Sequence, residues 1–257
     1  MREMIATYRD SAAFVAALPL IAAVPFAVEL VQHMVEVRAG MFNSYAGAEA
    51  AAADPNRELV GFFKVLSLFL VTYPVVRFLG FGRDRREAVR VTRTSALLFA
   101  AVLLFSCAMM AVQRVGGALL AEAIPSEGRL LLAGLLGILA LMVVETFLVA
   151  WKAGAALGNP RLTAGRSFAI MRPRLLRSFG FTLAMLVPLM IVHYALNFAA
   201  IGVAPAIMWT ILVVDSAVAA FLGIVLAATI YRLAARAAAD AGVSLLPQQV
   251  SEQPAVA

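Results

Sequence analysis

The chain has 257 residues, of which 63% are hydrophobic and only 14% charged, with a formal net charge of +6. Soluble domains carry about a quarter charged residues, so this composition, with a mean hydropathy of +0.92, excludes an ordinary soluble domain and points to an integral membrane protein. The basic excess sits in short connections between apolar runs, where it reads as a topological signal and as contacts for anionic lipid headgroups rather than for nucleic acid; the single cysteine, Cys107, excludes an intrachain disulfide and thiolate metal sites.

Residues 1–10 (MREMIATYRD) are a polar start carrying Arg2 and Arg9, and residues 11–31 are the first apolar run. A signal peptide is the competing reading. The length of the run, Pro19 and Pro25 within it, and its continuation through Glu29 without a small-residue cleavage site favour a retained span. Residues 37–58 read as a loop, with Gly40 and Asp54-Pro55-Asn56 as turn chemistry. The second span, 59–79, carries Lys64, Pro74 and Arg77, and the connection at 81–94 holds Arg83, Arg85, Arg86, Arg90 and Arg93. The third span is 95–115, followed by a loop at 116–129 containing Pro125. The fourth is 130–151, with Gly134, Gly137 and Ala140 as small packing positions and Glu145 as its only acid.

Residues 152–178 form a second basic connection, with Arg161, Arg166, Arg172, Arg174 and Arg177. Phe168, Met171, Leu175, Leu176 and Phe179 project to one side of a helix and Arg166, Arg174 and Arg177 to the other, the pattern of a helix in the membrane interface. Pro173 interrupts it, so the expectation is a short interfacial helix ending near Met171 and a fifth span opening at Pro173; a solvated loop is the alternative. The core of that span, 179–200, holds Pro188, His193 and Asn197, and a tight link at 201–204 leads to the sixth, 205–231. There Asp215, Ala219, Gly223 and Ala227 recur every fourth residue and stack along one face. Small residues at that spacing admit a second helix backbone, so Asp215 is expected to face protein rather than lipid. The expected fold is all-α and polytopic, with residues 1–235 as one six-span domain and 236–257 as a disordered tail. Pro19, Pro25, Pro74 and Pro188 read as kinks rather than as the broken helices of a transporter.

Fifteen basic residues fall at the amino end, in the 81–94 and 152–178 connections and in the tail, against Arg38, Arg57 and Arg129 alone in the alternate loops. By the positive-inside rule both termini are expected to be cytoplasmic. A weak internal repeat places serine beside arginine ahead of three apolar runs (Ser11, Ser95 and Ser178), where it would cap a helix start. The Tyr8-Arg9-Asp10 triplet followed by Phe14, the six spans, and the basic amphipathic segment from Arg166-Ser167-Phe168 through Arg177 resemble the bacterial inner-membrane proteins of the YciC-like group, themselves similar to the membrane domain fused to some glycerophosphodiester phosphodiesterases. The resemblance implies an all-helical six-span fold in the bacterial inner membrane. The phosphodiesterase chemistry does not carry over, because its soluble barrel and His-Arg pair are missing from this chain.

Ionisable residues inside the spans are the candidates for chemistry, since charge at membrane depth is costly. Asp215 and His193, with Asn197, are expected within reach of one another, either relaying a proton or pinning two helices together. Glu29 with Lys64, and Glu145 with Arg77, read as pairs, with snorkelling to the interface or a transport role as the alternatives. His33 lies near the outer end of the first span and His193 deep in the fifth, so no multi-histidine metal site is expected. Serine-nucleophile, zinc-protease and phosphate-loop motifs do not occur, and neither an enzyme nor a cofactor is expected. Two functions follow as alternatives: a non-catalytic membrane component that organises lipid or a partner protein, with Arg83, Arg85, Arg86, Arg166, Arg174 and Arg177 on anionic headgroups, or a small proton-coupled permease using Asp215 and His193.

Overall fold

The computed structural model describes residues 1–124 and 126–247. These form ten α-helices, one 3-10 turn and no strand. In chain order they are α1 (Arg2–Ala17), α2 (Pro19–Arg38), α3 (Tyr45–Ala51), α4 (Pro55–Gly80), α5 (Arg85–Val89), α6 (Arg93–Ala123), α7 (Glu127–Leu157), α8 (Ala164–Met171), the 3-10 turn Arg172–Arg174, α9 (Leu175–Ala199) and α10 (Pro205–Asp240). Six segments are long and apolar enough to cross a membrane: α2, α4, α6, α7, the continuous Ala164–Ala199 and α10. The architecture is that of an all-helical, multi-pass membrane protein.

Local chemistry sets the helix ends. The carboxylate of Asp54 accepts from the N–H groups of Asn56 (2.7 Å) and Arg57 (3.1 Å), with Pro55 opening α4. Thr92 and Ser95 form a reciprocal capping box at α6. Gly158, at φ +81, closes α7, and the N–H of Asn159 bonds back to the carbonyl of Gly154 (2.8 Å).

α10 is the axis. In its most apolar stretch 56% of the residues are buried, against 11–33% in the other five spans, and it packs on α1, α2, α4, α7, α8 and α9. Its small-residue face meets α4: Ala219, Gly223 and Ala227 are buried, and a Cβ on Gly223 would lie 2.4 Å from Leu68 Cδ2. α6 and α7 instead expose leucines such as Leu104, Leu131 and Leu135, which in a bilayer is ordinary acyl-chain contact.

Several expected boundaries shift. Residues 1–10 are helical in α1, and the break falls at Leu18 (φ −134°, ψ 60°), because a proline disfavours helical backbone in the residue before it. The 37–58 loop contains α3, capped by Ser44. Most of the 116–129 loop is helical, since Ala, Leu and Glu after Gly117 carry α6 to Ala123 and α7 opens at Glu127; Pro125 lies outside the described residues. The tail expected as disordered from 236 stays helical to Asp240, with Ala237 and Ala238 buried. Beyond it Asn159 Nδ2 donates to the carbonyls of Ser244 (3.0 Å) and Leu245 (3.1 Å), while 248–257 lie outside the described residues. Of the three serines of the repeat only Ser95 caps: Ser11 lies inside α1, donating to the carbonyl of Thr7 (2.9 Å), and Ser178 is buried within α9.

Candidate functional site

α2 carries Glu29, Gln32, His33 and Glu36, spaced i, i+3, i+4, i+7, which aligns four polar side chains on one face. All four are buried, and that face meets Asp215 of α10, which has no exposed surface. His33 Nε2 lies 3.0 Å from Asp215 Oδ2 and its Nδ1 lies 2.9 Å from Glu36 Oε2. Glu36 Oε1 accepts from Gln32 Nε2 and from Arg57 Nε, both at 2.9 Å. On the far side of Asp215, His193 Nδ1 lies 2.7 Å from Oδ1 and Asn197 Nδ2 donates to Oδ2 at 2.8 Å. Lys64 Nζ donates to Glu29 Oε1 (2.8 Å), and Glu29 Oε1 lies 3.6 Å from His33 Nε2.

The result is one hydrogen-bonded chain from Arg57 through Glu36, His33 and Asp215 to His193, joining α2, α4, α9 and α10. Three carboxylates face two permanent cations, Lys64 and Arg57, so one further proton within the cluster brings it to neutrality. His33, with a carboxylate at each ring nitrogen, sits where that proton is shared. Isolated buried charge is prohibitively expensive, and a paired, neutral cluster is the form in which so many ionisable groups persist at membrane depth.

Asp215, His193 and Asn197 meet as the sequence suggested, and Glu29 meets Lys64. The two histidines, expected apart, converge on Asp215 from opposite sides. The signal that would have found His33 is the polar stripe of α2, the inverse of an apolar stripe. The Glu145–Arg77 pair does not form. Arg77, 2% exposed, turns to α5 and α7: Nε donates to the carbonyl of Glu87 (2.7 Å), Nη2 to its Oε2 (3.0 Å) and Nη1 to the carbonyl of Ala156 (3.1 Å). Glu145 pairs instead with Lys152, two turns along the same helix, at the wall of an apolar cavity of about 300 Å³ between α4, α6, α7, α9 and α10.

The basic segments collect at the other end of the bundle. Asp10 binds Arg83 (2.5 Å) and Arg232, and Arg174 binds Asp240 (Nε–Oδ2 3.0 Å). A cavity of about 930 Å³ opens there between α1, α9 and α10. Five arginines line it, Arg2, Arg174, Arg177, Arg232 and Arg236, with Glu3 and Asp10 as its acids and Met4, Phe181 and Tyr231 as apolar wall. Arg2 and Arg177 have no ion-pair partner among the described residues, and Arg232 Nε is buried without a hydrogen bond. Of the arginines assigned to headgroups, Arg174 and Arg177 line this cavity, Arg83 is drawn to Asp10, and Arg85, Arg86 and Arg166 are exposed. Comparison with known proteins finds no matching family model, curated protein or solved structure.

Proposed function

We propose that this protein is a non-catalytic, multi-pass component of the bacterial inner membrane that holds an anionic phospholipid at its basic, cytoplasmic end. The observation that carries this reading is the arginine-lined cavity, in which five guanidinium groups outnumber two carboxylates and an apolar wall adjoins them. Guanidinium forks match phosphate oxygens bidentately, and the mixture of charge and apolar surface suits a headgroup with the first carbons of its chains. Arg2 and Arg177 are the arms available to a ligand, since neither is occupied by a carboxylate among the described residues. α8 and the 3-10 turn, which lead Arg174 and Arg177 to the cavity, act as the interfacial helix at the mouth.

The ionic cluster at the opposite end belongs to the same reading as a clasp. Its carboxylates and cations pair among themselves, which favours fixing four helices over carrying a substrate. The test is purification of the full chain in mild detergent with mass-spectrometric identification of bound lipid. Phosphatidylglycerol or cardiolipin is expected to be enriched over its share of the membrane. Arg2→Ala with Arg177→Ala is expected to reduce that enrichment several-fold while yield and monodispersity hold. A bound-lipid profile equal to the bulk membrane for the wild type would overturn the proposal.

A further inference from the structure

We propose that the buried cluster is also a binding site for one divalent transition-metal ion of the zinc class, with Glu29, His33, His193 and Asp215 as its ligands. This does not rest on the arginine cavity. Ligand atoms of Glu29, His193 and Asp215 lie within 4.8 Å of one another. His33 Nε2 adds a fourth, 3.0 Å from Asp215 Oδ2 and 3.6 Å from Glu29 Oε1. Four ligands around a zinc ion, each at roughly 2.0–2.2 Å, are separated by roughly 3.3 Å from one another. The two His33 separations bracket that spacing, and His193 Nδ1 approaches the other Asp215 oxygen, Oδ1, at 2.7 Å.

Two imidazoles and two carboxylates suit borderline ions such as Zn²⁺, whereas Ca²⁺ and Mg²⁺ want six or more oxygens, waters included. The surroundings are built in the way metal sites are. Ligating histidines characteristically donate their other nitrogen to a carboxylate, and His33 presents Nδ1 to Glu36 Oε2 at 2.9 Å, with Glu36 itself fixed by Gln32 and Arg57.

The charge balance admits the ion by exchange for Lys64. Glu29, 1% exposed, holds Lys64 Nζ at 2.8 Å from each of its carboxylate oxygens, and the metal ion takes that ammonium's place. Lys64 is 21% exposed and has a flexible stem able to carry its ammonium to the interface. With Lys64 withdrawn and both histidines neutral, Zn²⁺ and Arg57 balance the three carboxylates.

The experiment uses the full chain in mild detergent, stripped with a chelator and titrated with Co²⁺ alone, then with Zn²⁺. The expected result is visible absorption of four-coordinate intensity that saturates at one Co²⁺ per chain and bleaches on adding Zn²⁺. His193→Ala is expected to abolish the bands, and Glu36→Gln to weaken Co²⁺ binding roughly 10–100-fold. Failure of the wild type to develop bands or to retain Zn²⁺ on desalting would overturn the proposal and leave a hydrogen-bonded clasp. Unchanged bands in a His33→Ala/His193→Ala double variant would overturn it equally. Because the wild-type titration decides without any variant, a variant that fails to fold does not blur the outcome. Loss of bound lipid in Arg2→Ala/Arg177→Ala with Co²⁺ binding intact separates the two proposals.

Discussion

Arg77 and Arg114 both form ion pairs between elements, yet they differ in what their loss should do. Arg77 is 2% exposed, reaches two carbonyls and a carboxylate, and lies 4.8 Å from the Phe81 ring and 5.4 Å from that of Tyr73. Arg114 pairs with Glu58, but their side chains are 65% and 41% exposed. Removing Arg77 leaves the buried carbonyl of Ala156 without its donor, a cost of about 1–3 kcal/mol, while Glu87, 27% exposed, keeps Arg90; an exposed pair is worth about 0–1 kcal/mol. Arg77→Met is therefore expected to lower the unfolding midpoint in detergent by several degrees and Arg114→Ala to leave it almost unmoved; equal shifts would contradict the burial argument. The same contrast explains which contacts were legible. Asp215 could be matched to His193 and Asn197 because depth along neighbouring spans locates residues on consecutive helices. The partner of Arg77 could not, because Glu87 lies on α5, five residues within what sequence alone presents as a connection. His33 escaped because its contact to Asp215 links the first long apolar helix to the last, and neither local periodicity nor depth within a span says which helices are neighbours.

At the scale of elements, the crossing of α4 and α10 depends on the absence of a side chain. Leu68 Cδ2 fills the space above Gly223, where even a methyl group would be 2.4 Å away. Gly223→Leu is expected to destabilise by about 1–3 kcal/mol through overpacking. Leu68→Ala in the same chain is expected to recover part of the loss, whereas two independent effects would add. Thermal unfolding of the two single variants and the double variant measures that coupling. The face itself was readable, because a four-residue spacing of small residues around Asp215 needs only helix geometry. Helix ends were less so. Hydrophobic runs mark where a chain can cross lipid, but α6 and α10 continue past those runs through 116–123 and 232–240, where alanine, leucine and arginine favour helix without adding enough hydropathy to be counted as span. A capping side chain marks a start within a few residues, as Thr92 does for α6, whereas Pro19, which reads as a kink inside the first apolar run, opens α2.

For the whole molecule, two chemically opposite ends emerge from one bundle. The turns 39–44 and 200–204 meet at one end, where the N–H of Gly202 bonds to the carbonyl of Phe42 (2.9 Å), and the ionic cluster lies just beneath. At the other, Asp10 of α1 ties the turn before α5 to α10, Asp240 ties α10 to the 3-10 turn, and Asn159 ties the end of α7 to the segment after α10, so arginines from four separate stretches of sequence share one surface. That gathering supports the proposed orientation, because attraction between basic groups and anionic headgroups acts on the summed surface rather than on single residues. It also makes the orientation testable without touching either site. In a Cys107→Ser background, a cysteine replacing Asn43 in the turn after α2, or Val91 between α5 and α6, is exposed and faces opposite ends of the bundle. A membrane-impermeant maleimide applied to intact spheroplasts is expected to label Asn43→Cys fully and Val91→Cys only after lysis. The reverse pattern would put the arginine cavity outside, where the inner leaflet's anionic lipid could not reach it. Labelling of both before lysis would mean that the chain does not keep one orientation, and a lipid site confined to one leaflet would then lose its physical basis.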